Sequence, residues 1–252
     1  MSESSAATMS MTRHLMELRK RLLAVVLVFG LVLVGGFFAA EPIYHYLTTR
    51  GSGGVYVRLN AFSFWDGVGI YMKIALTVAF GITLPFTFYQ LWAFVSPGLK
   101  AEERRATLKY IPFAFLSFVG GAAFGYYAVF PLAIHFTSNL NKELGLVETY
   151  GAADYFRFLT NIVVPVSLVF ELPLIVLFLT HLRLVNPARL RKMRKTAYFA
   201  LVVASAAITP PDFISAFIVL IPLLLLYEFS IVLSARVYRK QHQEEPKEEP
   251  KE

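Results

Sequence analysis

Residues 22–40 read LLAVVLVFGLVLVGGFFAA, a stretch with no charged or strongly polar side chain. About 20 such residues cross the hydrocarbon core of a bilayer as one helix. The basic stretch Arg19-Lys20-Arg21 precedes the run, as in a secretory signal. The run is longer than a signal core, however, and more like it follow, so it reads as an uncleaved first helix. Further runs cover Ile74 to Val95, with Lys73 at its mouth and Pro85 inside, and Tyr110 to Phe136. A fourth covers Phe158 to Leu182 and is interrupted by Glu171. Thr196 to Ile208 and Phe213 to Leu233 complete the series, joined by Thr209-Pro210-Pro211-Asp212.

Composition agrees. The chain is 56% hydrophobic, 16% charged and has a mean hydropathy of +0.57. A soluble domain is about a quarter charged, so this one lacks the polar surface to cover a water-soluble globule. The fifth run would span only about 20 Å, short of the roughly 30 Å core. The sixth is cut by Glu228 and contains Pro222. The expected fold is therefore an all-α integral membrane protein with six transmembrane helices, the fifth and sixth short.

Charge placement gives the orientation. Of the 24 Lys and Arg, the loops expected outside hold only Arg50, Arg58, Lys142 and Arg157, and Lys73 lies at a span mouth. The rest flank the other helix ends, which marks that side as cytoplasmic and places both termini there. The expected organisation is a cytoplasmic segment 1–21, a transmembrane domain 22–233 and a polar, disordered cytoplasmic tail 234–252.

Few residues offer chemistry. There is no cysteine, so disulfides and thiolate metal sites are excluded. His14, His45, His135, His181 and His242 form no ligand-spaced cluster. No glycine-rich phosphate loop, His-Glu-x-x-His or Gly-x-Ser-x-Gly is present, so neither enzymatic activity nor a cofactor nor a metal is expected. In a membrane protein the net charge of +7 says more about topology than about nucleic acid, and no nucleic-acid partner is expected.

Three acidic positions stand out. Glu17 lies i, i+4 from Arg21 on the polar side of an amphipathic entry to helix one. Spacing alone favours a plain ion pair; the alternative is a carboxylate offered to a cationic ligand. Glu102 and Glu103 follow the turn Ser96-Pro97-Gly98, where helix-start acids are ordinary. Glu171 lies near mid-bilayer. An ionised acid there costs at least about 2.5–3.5 kcal/mol, and such residues mark either function or an interhelical hydrogen bond. Pro173 nearby frees a backbone carbonyl.

Taken together, His14-Leu-x-Glu-Leu-Arg-Lys-Arg-Leu22, Phe94-Val-Ser-Pro-Gly-Leu99, Glu103-Arg-Arg105, Phe170-Glu-Leu-Pro173, Thr209-Pro-Pro-Asp212 and Pro222 to Glu228 resemble the TatC family, the receptor subunits of the twin-arginine protein translocase. The resemblance covers His14 to Lys240. It implies a protein of the bacterial cytoplasmic membrane that binds twin-arginine signal peptides. With TatA-type and TatB-type single-span partners, and with self-association, it would support proton-motive-force-driven transport of folded proteins. It further implies that Glu17, Arg19 and Glu103 form the recognition site, that Glu171 is the intramembrane polar group, and that Thr209, Asp212 and Glu228 border the partner-docking region. Two positions depart from the family pattern: Ala216 stands where some members carry Gln, and Asp66 and Val68 replace the usual Pro-x-Glu-x-Phe before Lys73. The competing reading is a proton-coupled secondary transporter of small solutes using Glu171. Such a transporter should show several convergent polar groups at mid-membrane, and this chain has one acid there.

Overall fold

A charge-free apolar run can satisfy its backbone in lipid only as a helix or a closed barrel, and this chain takes the first route. The computed structural model describes residues 2–49, 59–96, 111–209 and 213–243. The helices are α1 (Ser2–Phe38), α2 (Ala40–Thr49), α3 (Asp66–Val95), α4 (Ile111–Phe124), α5 (Phe130–Glu143), α6 (Ala152–Val169), α7 (Leu172–His181), α8 (Pro187–Lys192), α9 (Arg194–Ile208) and α10 (Phe213–Gln243). Two short strands, β1 (Leu59–Asn60) and β2 (Tyr150–Gly151), pair in parallel. One π-helical turn, Gly125–Val129, joins α4 to α5.

Five stretches among the described residues are long and apolar enough to cross a membrane: Leu15–Phe38, Asp66–Val95, Ile111–Glu143, Ala152–His181 and Ala216–Gln241. The fifth expected helix, α9, has 15 residues and is short as anticipated. The expectation of a short last helix is corrected: α10 runs for 31 residues. Glu228 breaks the hydropathy run but not the helix, because its carboxylate is taken up by Arg194 and Tyr198. The helix continues past residue 233 to Gln243.

The chain forms two compact units. The first comprises Met1–Leu116 with Thr149–Thr160, and the second Ser117–Glu148 with Asn161–Glu252. In the first, α1 lies antiparallel on α3. The contacts form a ladder: Arg21 meets Gln90, Phe29 meets Phe80, Gly36 meets Ala75 and Phe37 meets Tyr71. A Cβ on Gly36 would lie 3.1 Å from the Ala75 carbonyl oxygen, so the missing side chain sets the helix spacing. The other side of α1, with Leu27, Leu31 and Phe38, is exposed as a lipid-facing surface must be. Tyr44 of α2 stacks on Phe156 at 5.4 Å, and the Lys73 ammonium donates to the Ala153 carbonyl at 3.0 Å.

In the second unit, α4 and the π turn pack on α6 through glycine. A Cβ on Gly121 would lie 2.7 Å from Ser167 Cα and 2.9 Å from Phe170 Cβ. Gly125 abuts Val163 in the same way, at 3.1 Å. The helical path then breaks at Phe170-Glu171. Pro173 has no N–H to give the Val169 carbonyl, which ends α6, and α7 starts with Pro173 in its first turn. Across the α7–α10 contact, Thr180 Oγ1 and Ser234 Oγ are 2.8 Å apart, and Gln241 Nε2 donates to the His181 carbonyl at 3.2 Å.

Two adjacent glycines test this packing. Gly120 has open space where a Cβ would go, whereas Gly121 has backbone. Gly120→Ala should be neutral or stabilising by up to about 1 kcal/mol through helix propensity. Gly121→Ala should lose about 1–3 kcal/mol through overpacking. Thermal unfolding of the two variants in detergent measures the contrast, and equal effects would refute the close approach.

Candidate functional site

The described candidate residues sort by unit: Glu17 and Arg19 belong to the first, Glu171, Thr209 and Glu228 to the second. Glu103 and Asp212 lie outside the described residues.

Glu17 is set by its own helix. Its Oε1 accepts from Arg21 Nη2 at 2.6 Å and from Nε at 3.2 Å. The spacing makes this pair, since i and i+4 share a helix face. Arg21 also donates from Nη1 to Gln90 Oε1 of α3 at 3.2 Å. A carboxylate, a guanidinium and an amide thus run in series and tie the entry of α1 to the end of α3. A partly exposed pair of this kind contributes only about 0.3–0.5 kcal/mol, so its effect is mainly orientation. The Glu17 carboxylate is held in one place, 43% exposed, and among the described residues its Oε2 accepts no hydrogen bond. Arg19 is exposed too, but two residues along the helix it points away from the Glu17 face. One helical turn beyond Arg21, the α1–α3 ladder brings Glu17 level with the end of α3 at Val95-Ser96.

Gln90 was not singled out from sequence. The available signal was a lone amide among Phe88, Tyr89, Leu91 and Trp92, within a run long enough to cross the membrane.

Glu171 is 2% exposed, and neither of its carboxylate oxygens has a hydrogen-bond partner among the described residues. It sits in the break between α6 and α7, where its carbonyl accepts from Ile175 N–H at 2.9 Å. The backbone is therefore satisfied while the side chain is not. A buried, unmatched carboxyl is costly, which makes it an unused hydrogen-bonding capacity rather than a structural tie.

Thr209 closes α9. Its hydroxyl and its N–H both donate to the Ser205 carbonyl, at 2.8 and 3.1 Å. Glu228 is fully engaged within the chain. Its Oε2 accepts from Arg194 Nη2 at 2.6 Å, and its Oε1 from the Tyr198 hydroxyl. Tyr227, next to it, donates to the Leu190 carbonyl of α8 at 2.9 Å. Arg194 and Tyr198 were not anticipated; their i, i+4 spacing on α9 was the signal. Together these bonds fasten α8 and α9 to the middle of α10.

Comparison with known proteins gives one answer over most of the chain. A family model for the Sec-independent protein translocase protein (TatC) matches residues 13–222. The Sec-independent protein translocase protein TatC of Halalkalibacterium halodurans is 47% identical over 232 residues, covering 92% of this chain and 91% of that protein. TatCy of Bacillus subtilis is 44% identical over the same length, with the same coverages. A crystal structure of a twin arginine translocase receptor, TatC, superimposes with a TM-score of 0.74 at 32% identity, covering 90% of this chain and 99% of that one. A second structure of such a receptor, in DDM, gives 0.76. The Glu17 carboxylate of α1 and the buried Glu171 between α6 and α7 therefore belong to a multi-pass membrane protein of the TatC family, a component of the Sec-independent protein translocase.

Proposed function

We propose that this chain is the receptor that captures twin-arginine signal peptides at the cytoplasmic face of the bacterial inner membrane and passes their folded cargo to TatA-type partners. The observation that carries the reading is the Glu17 carboxylate, oriented by Arg21 and Gln90 and open on one edge. Glu103 is the second acid. It lies seven residues beyond Ser96, so the chain keeps it within about 25 Å of the end of α3, level with Glu17. A guanidinium pair wants fixed carboxylates, and the planar fork of arginine uses them better than the point charge of lysine. Arg19, exposed on the same stretch of α1, is the third residue of the proposed site.

The orientation follows from the Lys and Arg bias: six spans counting α9, both termini inside, and residues 234–252 on the cytoplasmic side. The short α9, with Thr209 and Asp212 at its end, is the proposed docking place for a TatA-type or TatB-type helix. The small-solute transporter reading is set aside, because similarity over nine-tenths of the chain is to translocase components.

Three experiments test this reading. Glu17→Ala and Glu103→Ala should each weaken crosslinking of a twin-arginine signal peptide while leaving the fold intact. The loss is about 2–5 kcal/mol if the site is desolvated, and smaller and salt-sensitive if it is wet. Preference for Arg-Arg over Lys-Lys that survives the double substitution would show that these acids are only helix-end charges. For topology, Lys247→Cys in this cysteine-free chain should resist an impermeant thiol reagent applied to intact cells; labelling from outside would reverse the orientation.

The third experiment concerns Glu171. If its unmatched carboxyl serves a partner rather than the fold, Glu171→Leu should unfold at higher temperature, by about 1–3 kcal/mol of relieved desolvation, yet lose transport. Glu171→Gln should keep much of the activity if polarity is what is needed. A Leu variant that is less stable than the wild type would show instead that the acid supports the fold.

A further inference from the structure

Before α3 the chain runs Phe62-Ser63-Phe64-Trp65; the Phe64 and Trp65 rings stand out of the protein, while one edge of the Phe62 ring lies over Gly151 and the rest of it is open. Phe62 is 67% exposed, Phe64 fully exposed and Trp65 76% exposed. The segment is held by its own bonds. Asp66 Oδ2 accepts from the Phe62 and Ser63 N–H groups at 2.8 and 3.0 Å, Asp66 N–H donates to the Ser63 carbonyl, and Trp65 N–H donates to Ser63 Oγ. Beyond it, Val68 and Met72 continue the exposed apolar strip one and two turns along α3.

We propose that Phe64 and Trp65, with Phe62, form a membrane anchor that seats the start of α3 in the lipid headgroup layer. Three observations favour lipid over another occupant. The aromatics sit at the mouth of a helix that is itself long and apolar enough to span, so their surface is continuous with its lipid-facing side. Trp has an apolar body and one N–H donor, which suits the zone where acyl chains meet wet headgroups. Length also fits. Trp65 and Gln90 are separated by about 38 Å along α3, between the roughly 30 Å core and the 40–45 Å that includes headgroups. An anchor at Trp65 therefore places the Gln90–Arg21–Glu17 series at the opposite surface, where it can meet water and a soluble ligand. The anchor stands independently of what that ligand is.

The chain has two tryptophans, Trp65 and Trp92, and Trp92 is buried. The full-length Trp92→Phe variant reports Trp65 alone. If that variant folds poorly, the difference between wild type and Trp65→Phe supplies the same signal. The protein is reconstituted into phosphatidylcholine–phosphatidylglycerol vesicles containing phosphatidylcholine brominated either near the headgroup or near the chain ends. Most of the Trp65 emission should be lost to the shallow bromines, distinctly less to the deep ones, and little to aqueous acrylamide. Strong acrylamide quenching without bromolipid quenching would put the loop in water and overturn the proposal. So would deep bromines quenching more than shallow ones. Protection from both quenchers would mean that a second copy of the chain covers the rings, and would overturn it as well.

Discussion

The hydrocarbon core of a bilayer supplies no hydrogen bonds, so each polar group carried into it must find its partner within the protein. The hydroxyls of this chain meet that demand locally. Thr77, Thr87, Thr160, Ser167, Thr180 and Ser230 each donate to the carbonyl four residues back on their own helix. Charged groups meet it by pairing, as Glu17 does with Arg21 and Glu228 with Arg194. Against that uniform economy the buried side-chain atoms left without partners are few among the described residues: the Thr83 hydroxyl and both oxygens of Glu171. A carboxyl costs more to strand than a hydroxyl, so Glu171 is the larger departure from that economy and Thr83 the smaller.

The same solvent removes the hydrophobic drive between helices, because lipid tails are as apolar as leucine. Close approach must then come from small residues. Gly36 against Ala75 in the first unit, and Gly121 and Gly125 against Ser167 and Val163 in the second, bring backbones together where a side chain would hold them apart. The Gly121 contact reaches Phe170, the residue before Glu171, and the Phe124 ring packs on the Phe170 ring at 5.6 Å. The break that carries the acid is thus braced from one side.

Helices were the most legible feature of the sequence, because hydropathy reports length directly. Their ends were less so. The last helix was read as short because Glu228 interrupts the apolar run, yet an interrupted run need not be an interrupted helix when the charge has partners on a neighbour. Those partners, Arg194 and Tyr198, lie far back in the chain, and pairing across such a separation is invisible to a local window. The Glu17–Arg21 pair was legible because it is local; its continuation to Gln90 was not, because that depends on the α1–α3 register. Pro173 made a freed backbone carbonyl beside Glu171 legible, but the end of α6 there and the lack of a partner for the buried carboxyl were not, since only packing decides them.

The hairpin of α9 and α10 shows how these constraints combine. α9 begins at the Arg194 and Tyr198 bonds to Glu228 and ends where Thr209 folds its hydroxyl back onto Ser205. Fixed at both ends, it cannot lengthen by recruiting flanking residues. Its 15 residues reach about 22 Å, some 8 Å short of a typical hydrocarbon core. α10 beside it has length to spare and can tilt. On the six-span reading, the mismatch at α9 must therefore be met by the lipid, by thinning beside this helix, or by a partner helix that is short in the same way. Phe199, Val202 and Val203 are exposed on α9 and would offer such a helix an apolar surface beside the place where the bilayer is most easily deformed. Glu228, in contrast, is spent on holding the hairpin through Arg194 and Tyr198.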